Sequence, residues 1–485
     1  MRSSPVLSVD ASPAAYPPRR PGSRGLYLAL LGERGDGLGA IDELARSASR
    51  SFLLERLDEA AGLACDFPDD IRVLPAWLDA DRERTGAAYR QYLQERQGGA
   101  PRRYFSCRSH ALHFLRTVAP TKLVDGAWLY GVLRRSDDAR LAPLIRTYLE
   151  ELGRGAAAQN HVAIYRRLLA SNGCDGPQAL SDAHHVQGTI QLSLAHHARE
   201  FLPEVIGFNL GYEQLPLHLP ITAHELAELD IDPAYFTLHV TVDNASTGHA
   251  RKALDTLVDM LPRDGGEADF LRRVALGFRL NHLGVGTVEA IGSFDLEREL
   301  VETLAAKAAV GADLHSDRCR IGGRSVTAWL ADPREAPALL ACLESSGWIR
   351  RGHDPAESRF WRLLHDERAP MFGVFSGHED QLLRDWIAGG DPALSEAARR
   401  AAVASSRQAI GRPALRRHLT GLSSIDDGPP EDDVDCQALE RQLLSASSRA
   451  EAMGLLQGHL SPANHHKPAG LLATRLYAGL FDGRL

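Results

Sequence analysis

YFTLHVTVDNASTGHARKA, residues 235–253, is the stretch on which the reading of this chain turns. Its seven residues FTLHVTV alternate like a strand, but strand-like alternation is isolated here, while the flanking sequence follows helical periodicity. On a helix, His239 and Asp243 are four apart, differ by roughly 40° around the axis and share a face. An imidazole and a carboxylate turned together into an apolar run are costly unless they bind each other or a common metal. Both readings stand on this stretch alone. His249 follows six positions after Asp243.

Outward from this stretch, residues 106–300 carry one helical pattern after another: ALHFLRTVAP, LAPLIRTYLEEL, HVAIYRRLLAS, IQLSLAHHAREFL, ALDTLVDML and DFLRRVALGFRLNHL. An all-α helical bundle is the fold these patterns specify. Trp128, in LVDGAWLYG, reads as a core anchor between helices. Residues 1–25, rich in Pro, Ser and Arg, read as a disordered leader rather than an export signal, despite Arg19-Arg20. Residues 26–105 form an N-terminal helical region, with a boundary at Gly98-Gly99 and Pro101. Residues 301–420 form a C-terminal helical accessory domain, whose GWIRRG turn has a faint winged-helix rhythm. Residues 421–485 are an acidic linker, GLSSIDDGPPEDDV, and a helical tail.

A chain of 485 residues exceeds the usual size of one hydrophobic core, so several units are expected. The net charge of −8 excludes nucleic acid and acidic membrane surfaces as main partners. Six scattered cysteines without a CxxC exclude a disulfide framework and a thiolate zinc site. No segment reaches the roughly 20 apolar residues of a membrane span, and the expected location is the cytoplasm.

Two further stretches hold carboxylates and imidazoles. In EELGRGAAAQNHVAIYRRLL, Glu151 and His161 lie ten apart with Gly153 and Gly155 between them. HHAREFLPEVIGFNLGYEQL holds His196, His197, Glu200, Glu204 and Glu213. Each residue also has a plain structural reading. Glu151 suits a solvated helix end, Glu204 follows Pro203 and suits a helix N-terminus, and Glu213 faces elsewhere if its helix continues. Neither ExxH nor HExxH is present, which excludes the zincin reading. Carboxylates and imidazoles converging from several helices are how bundles hold a dinuclear iron or manganese centre.

The ordered fragments ELGRG…NH, FLPEVIGFNLGYE and YFTLHVTVDNASTGHA resemble the iron-containing redox enzymes of the haem-oxygenase-like di-iron oxidase superfamily. The resemblance covers roughly residues 106–290 and makes 106–300 the haem-oxygenase-like di-iron domain. It implies Glu151, His161, Glu204, His239, Asp243 and His249 as metal ligands. Here the chain departs from the family pattern, because the position three after the Asp is Ser246 and the next imidazole is His249. His249 reaches the centre only through a π-bulge or a break near Gly248.

The resemblance further implies an O2-dependent oxidase or oxygenase with two irons per chain, cycling between Fe(II) and Fe(III). It implies a small amino-acid-like, fatty-acid-like or natural-product substrate, an external electron donor and a homodimer. Rival readings are a haem-binding or cofactorless oxidase of the same fold, and a non-enzymatic helical binding or regulatory protein.

Overall fold

The computed structural model describes residues 21–32, 43–176, 179–243, 248–311, 318–365, 371, 373–389 and 433–483. Residues 1–20 of the leader, Ser246 and nearly all of the acidic linker lie outside the described residues. A helix, α1 (Ser23–Leu30), already begins inside the stretch read as leader and buries Leu26, Tyr27 and Leu30. Among the described residues the only strands are a two-residue antiparallel hairpin, Arg320–Ile321 with Arg324–Ser325. The remaining regular structure is helical.

The N-terminal region supplies α2 (Glu43–Ala61) and α3 (Leu74–Gln97). The charged length of α3 buries only Leu74 and Tyr92, as its composition requires. The centre holds α4 (Arg108–Thr117), α5 (Ala142–Glu151), α6 (His161–Ser171), α7 (Asp182–His197), α8 (Leu202–Tyr212) and α9 (His218–Glu228). It continues with α10 (Ala234–Asp243), α11 (His249–Met260) and α12 (Glu267–Arg279). The alternating FTLHVTV run lies in α10, so its neighbours' helical packing overrides the strand-like local pattern. Pro at the first turns of α5 and α8 and the Asn160 side chain at the start of α6 are ordinary helix-start chemistry.

Two hydrophobic cores meet in the centre. One is built on α5, α8 and α11, through Leu149, Phe208 and Leu257 among others. The other gathers Phe114, Tyr165, Leu226, Tyr235 and Phe236 from α4, α6, α9 and α10. Trp128 lies fully buried in the first, and its indole Nε1 donates to Asn209 Oδ1 at 2.8 Å. Trp128→Ala is expected to lower the unfolding free energy by about 3–5 kcal/mol, measured by denaturant unfolding.

A third core, including Leu300, Leu340, Trp361, Leu383 and Trp386, lies in the accessory region. It is built on α13 (Leu296–Gly311), α14 (Ala336–Ser345) and α15 (Gly377–Ile387), the last started by a capping box from Ser376 and Glu379. The tail forms α16 (Val434–Leu444), α17 (Arg449–His459) and α18 (Pro468–Phe481). These helices contribute Leu439, Leu456 and Tyr477 to the first core, so the tail packs against the centre of the molecule. No described helix is long and apolar enough to cross a membrane.

Candidate metal centre

The seam between the two central cores holds six buried polar side chains: Asp125, Glu151, His161, Glu213, His239 and His249. Glu151 ends α5 and Glu213 follows the last residue of α8, so two carboxylates stand at helix C-termini. His161 and His249 are the first residues of α6 and α11. Acids at C-termini and protonated imidazoles at N-termini both run against the helix dipole. The site, and not the helices, therefore dictates these residue types.

The loop between Glu151 and His161 brings the pair together. Leu152 bridges Asn160, and the turn runs through Gly153, Arg154 and Gly155, all with positive φ. His161 Nδ1 consequently lies 2.6 Å from Glu151 Oε2 and 3.5 Å from Asp125 Oδ2. Asp125 enters from the turn before Gly126, whose φ of 77° favours glycine. A Cβ at Gly126 would lie 2.9 Å from the Glu151 Cβ, closer than the packing allows.

The six donors form two groups that share Glu151. Asp125, Glu151, His161 and His239 can each offer a ligand atom within 4.8 Å of the others. Glu151, Glu213 and His249 form the second such group. Glu151 Oε2 faces His161, while Oε1 lies 3.2 Å from His249 Nδ1, so one carboxylate serves both. His249 Nδ1 also lies 3.0 Å from Glu213 Oε2.

The outer nitrogens of two imidazoles are pinned. His239 Nδ1 lies 2.7 Å from the Tyr235 carbonyl, which sets it as the donor and turns Nε2 toward Asp125 Oδ2 at 3.0 Å. His249 Nε2 lies 2.9 Å from Glu150 Oε2, which also accepts from Lys252 Nζ at 2.5 Å. Such partners fix the tautomer and leave the inner nitrogen's lone pair for a metal. Asp125 is held too: Tyr212 donates to Oδ1 at 2.8 Å and Tyr235 to Oδ2 at 2.5 Å. Lys122 Nζ donates to the Tyr212 hydroxyl at 3.1 Å.

Electrostatics in this buried seam are strong. Burial opposes the charge on Asp125, but the imidazoles of His161 and His239 outweigh it and hold the carboxyl well below its usual range. Burial likewise opposes ionisation of Glu151, yet His161 and His249 bring its pKa down to about 2. For His161, burial favours the neutral ring, and the Glu151 charge together with Asp125 raises its pKa to about 10. His249 is raised further, with Glu213, Glu150 and Glu151 overriding its burial. Without metal, protons on these imidazoles balance the carboxylates.

The residues fit a metal on two independent counts. Hard oxygen and imidazole donors suit iron. In addition, the buried atoms His161 Nδ1 and Glu213 Oε1 have no hydrogen-bond partner, although His161 Nδ1 lies 2.6 Å from a carboxylate oxygen. Close approach without hydrogen-bond alignment is what ligands of one ion show.

Of the six residues singled out in the sequence, the structure brings together Glu151, His161, His239 and His249. Glu204 stands apart: both its oxygens accept from Arg273 at 2.6 Å. Asp243 ends α10, and its side chain lies outside the described residues. His249 reaches the centre at the start of a helix, with Gly248 extended before it, which is the break near Gly248 that the sequence allowed. Glu213 is in the cluster because α8 stops at Tyr212, so the continuing helix that would turn it away is not formed. Asp125 was not singled out, since Asp-Gly reads first as a turn. His197 instead bonds Ser49, and Glu200 pairs with Arg50. Glu204→Gln is expected to lower the unfolding free energy by about 1–3 kcal/mol while leaving metal stoichiometry unchanged, as followed by unfolding and metal titration.

No curated protein and no solved structure gives a significant match. Residues 112–282 match the model of a family described as iron-containing redox enzymes, a span that contains all six clustered residues. The all-α architecture of the described residues agrees with that match. Over residues 112–282, about a third of its length, the chain is similar to the iron-containing redox enzyme family.

Proposed function

We propose that the centre is a non-haem di-iron site and that the chain is an O2-dependent oxidase or oxygenase. Its substrate is a small amino-acid-like, fatty-acid-like or natural-product molecule, and an external donor supplies electrons. The observation that carries this reading is Glu151, whose two oxygens face two different groups of buried donors. A haem protein needs a proximal imidazole, not three imidazoles interleaved with three carboxylates.

Bound iron supplies O2 activation and electron transfer, chemistry that no amino-acid side chain provides. The chain supplies the setting. Glu151, Asp125 and Glu213 provide negative charge that favours the oxidised metal. Glu150 and the Tyr235 carbonyl orient His249 and His239. The phenols of Tyr212 and Tyr235 are held protonated by burial and by Asp125, so they remain donors to that carboxylate and set its orientation.

An open cleft of about 300 Å³ reaches Glu213 from outside, between α3 and the start of α11. Leu78 and Leu254 give it apolar walls, and Arg82 and Arg251 stand beside Asp79 and Asp81, so its rim carries charges of both signs. The test is O2 uptake by protein loaded anaerobically with Fe(II), compared with the Zn(II)-loaded form, across carboxylic-acid and amine substrates. Iron-dependent, substrate-stimulated uptake supports the proposal. A Soret band with haem-dependent turnover, or turnover without metal, contradicts it.

A further inference from the structure

The loop that sets Glu151 against His161 is held from outside the family-matched segment. Asn160, fully buried, makes three kinds of contact there. Its Oδ1 accepts from the Ala163 N–H at 3.0 Å and so starts α6 at His161. Its Nδ2 lies 3.2 Å from the carbonyl of Leu152, the residue directly after Glu151. The same Nδ2 lies 3.0 Å from Nδ1 of His465, a buried tail residue 305 positions away.

The tail grips the loop elsewhere too. Gly155 takes a φ of 90°, and a Cβ there would lie 2.5 Å from the Leu471 carbonyl. Arg475 Nη2 lies 3.4 Å from the Gly155 carbonyl, and Arg154 pairs with Asp482. Tyr148, on the helix that ends in Glu151, donates its hydroxyl to the Leu460 carbonyl at 2.5 Å. The loop is thus sandwiched between the two ligands it connects and the C-terminal helix.

We infer that Asn160 and His465 are positioning residues for the metal centre, through which the C-terminal tail sets the spacing of Glu151 and His161. Asn160 joins the end of one ligand-bearing helix to the start of the next, and His465 holds its Nδ2 from the tail side through Nδ1 at 3.0 Å and its carbonyl at 3.4 Å. A metal needs both donors within a few tenths of an ångström of their places, a tolerance that packing alone does not enforce. The inference rests on the metal reading proposed above.

The experiment is anaerobic Fe(II) titration of the full-length chain, with Co(II) as an optical probe of ligand geometry, alongside circular dichroism and thermal melting. In folded His465→Ala and Asn160→Ser, Fe(II) affinity is expected to fall about 10–100-fold with an altered Co(II) spectrum. His465→Asn, which returns an acceptor near Nδ1, is expected to recover most of the affinity. Asn160→Ser keeps a helix-capping hydroxyl while losing the amide donors, so it decides the matter if His465→Ala does not fold. Lower melting temperatures with wild-type Fe(II) isotherms and Co(II) spectra would make the tail simple packing and overturn the inference alone. A wild-type chain that binds no Fe(II) would overturn it together with the di-iron reading.

Discussion

Glu151→Ala is expected to remove metal binding from both positions, taking the chain from about two irons to none at micromolar metal. The reason is geometric. Every other residue of the cluster belongs to one group of donors, whereas Glu151 offers Oε2 toward His161 and Oε1 toward His249. His239→Ala and His249→Ala should each weaken one position and leave a measurable second. Glu151→Gln separates charge from shape, because it keeps the side chain's volume while removing the negative charge that the metals share. Anaerobic calorimetric titration distinguishes these patterns, and circular dichroism shows whether the variants keep their helices. Glu151→Ala that still binds two irons would break the shared-carboxylate account.

Metal affinity is expected to rise steeply with pH, and the metal-free fold is expected to move the other way. His161 has a folded pKa of about 10, raised from 6.5 because Glu151 and Asp125 together outweigh burial. At neutral pH the metal-free site therefore holds a proton on this ring, and another on His249, that bound iron must displace. Each displaced proton makes affinity about tenfold stronger per pH unit, so between pH 6.5 and 8.5 the gain is roughly a hundredfold to ten-thousandfold.

The sign for metal-free stability follows from the same shifts. The raised His161 pKa gives stabilisation that is full below 6.5 and is lost as pH rises through about 10. The lowered Glu151 pKa gives stabilisation that is full above 4.5 and is lost as pH falls through about 2. The pair is therefore most stabilising between pH 4.5 and 6.5. Above that window the His161 contribution falls by about 1.4 kcal/mol per pH unit. Urea unfolding of the metal-free protein at pH 6.5 and 8.5 checks the second sign, and Fe(II) titration at the same values checks the first. Affinity that is flat with pH would mean that the imidazoles are not proton-loaded in the metal-free chain.

The helical bundle was legible because it is written in local periodicity, which short-range helix chemistry enforces. Glu151 and His161 were legible only through the family resemblance, because locally Glu151 reads as a solvated helix end and the glycines between them do not announce that the pair meets. His239 and His249 stood out as imidazoles in an apolar stretch. Glu204 shows where local pattern stops being informative. Its environment is decided by Arg273, 69 positions away, and nothing near Glu204 announces that partner. Glu213 depended on where α8 ends, and shifting that end by one residue turns the side chain by roughly a quarter of a helical turn or more. Asp125 was hidden by the glycine after it, which serves both as a turn residue and as the gap that lets Glu151 approach. His465 had no local signal at all, because its role exists only once the tail folds back on the centre.

The central claim is that one buried carboxylate joins two metal positions. X-ray absorption at the iron edge, on wild-type protein loaded anaerobically with Fe(II), tests it most directly. The account predicts oxygen and nitrogen neighbours together with an iron–iron vector near about 3.5–4 Å. Saturation at a single iron per chain with no iron–iron vector would contradict it.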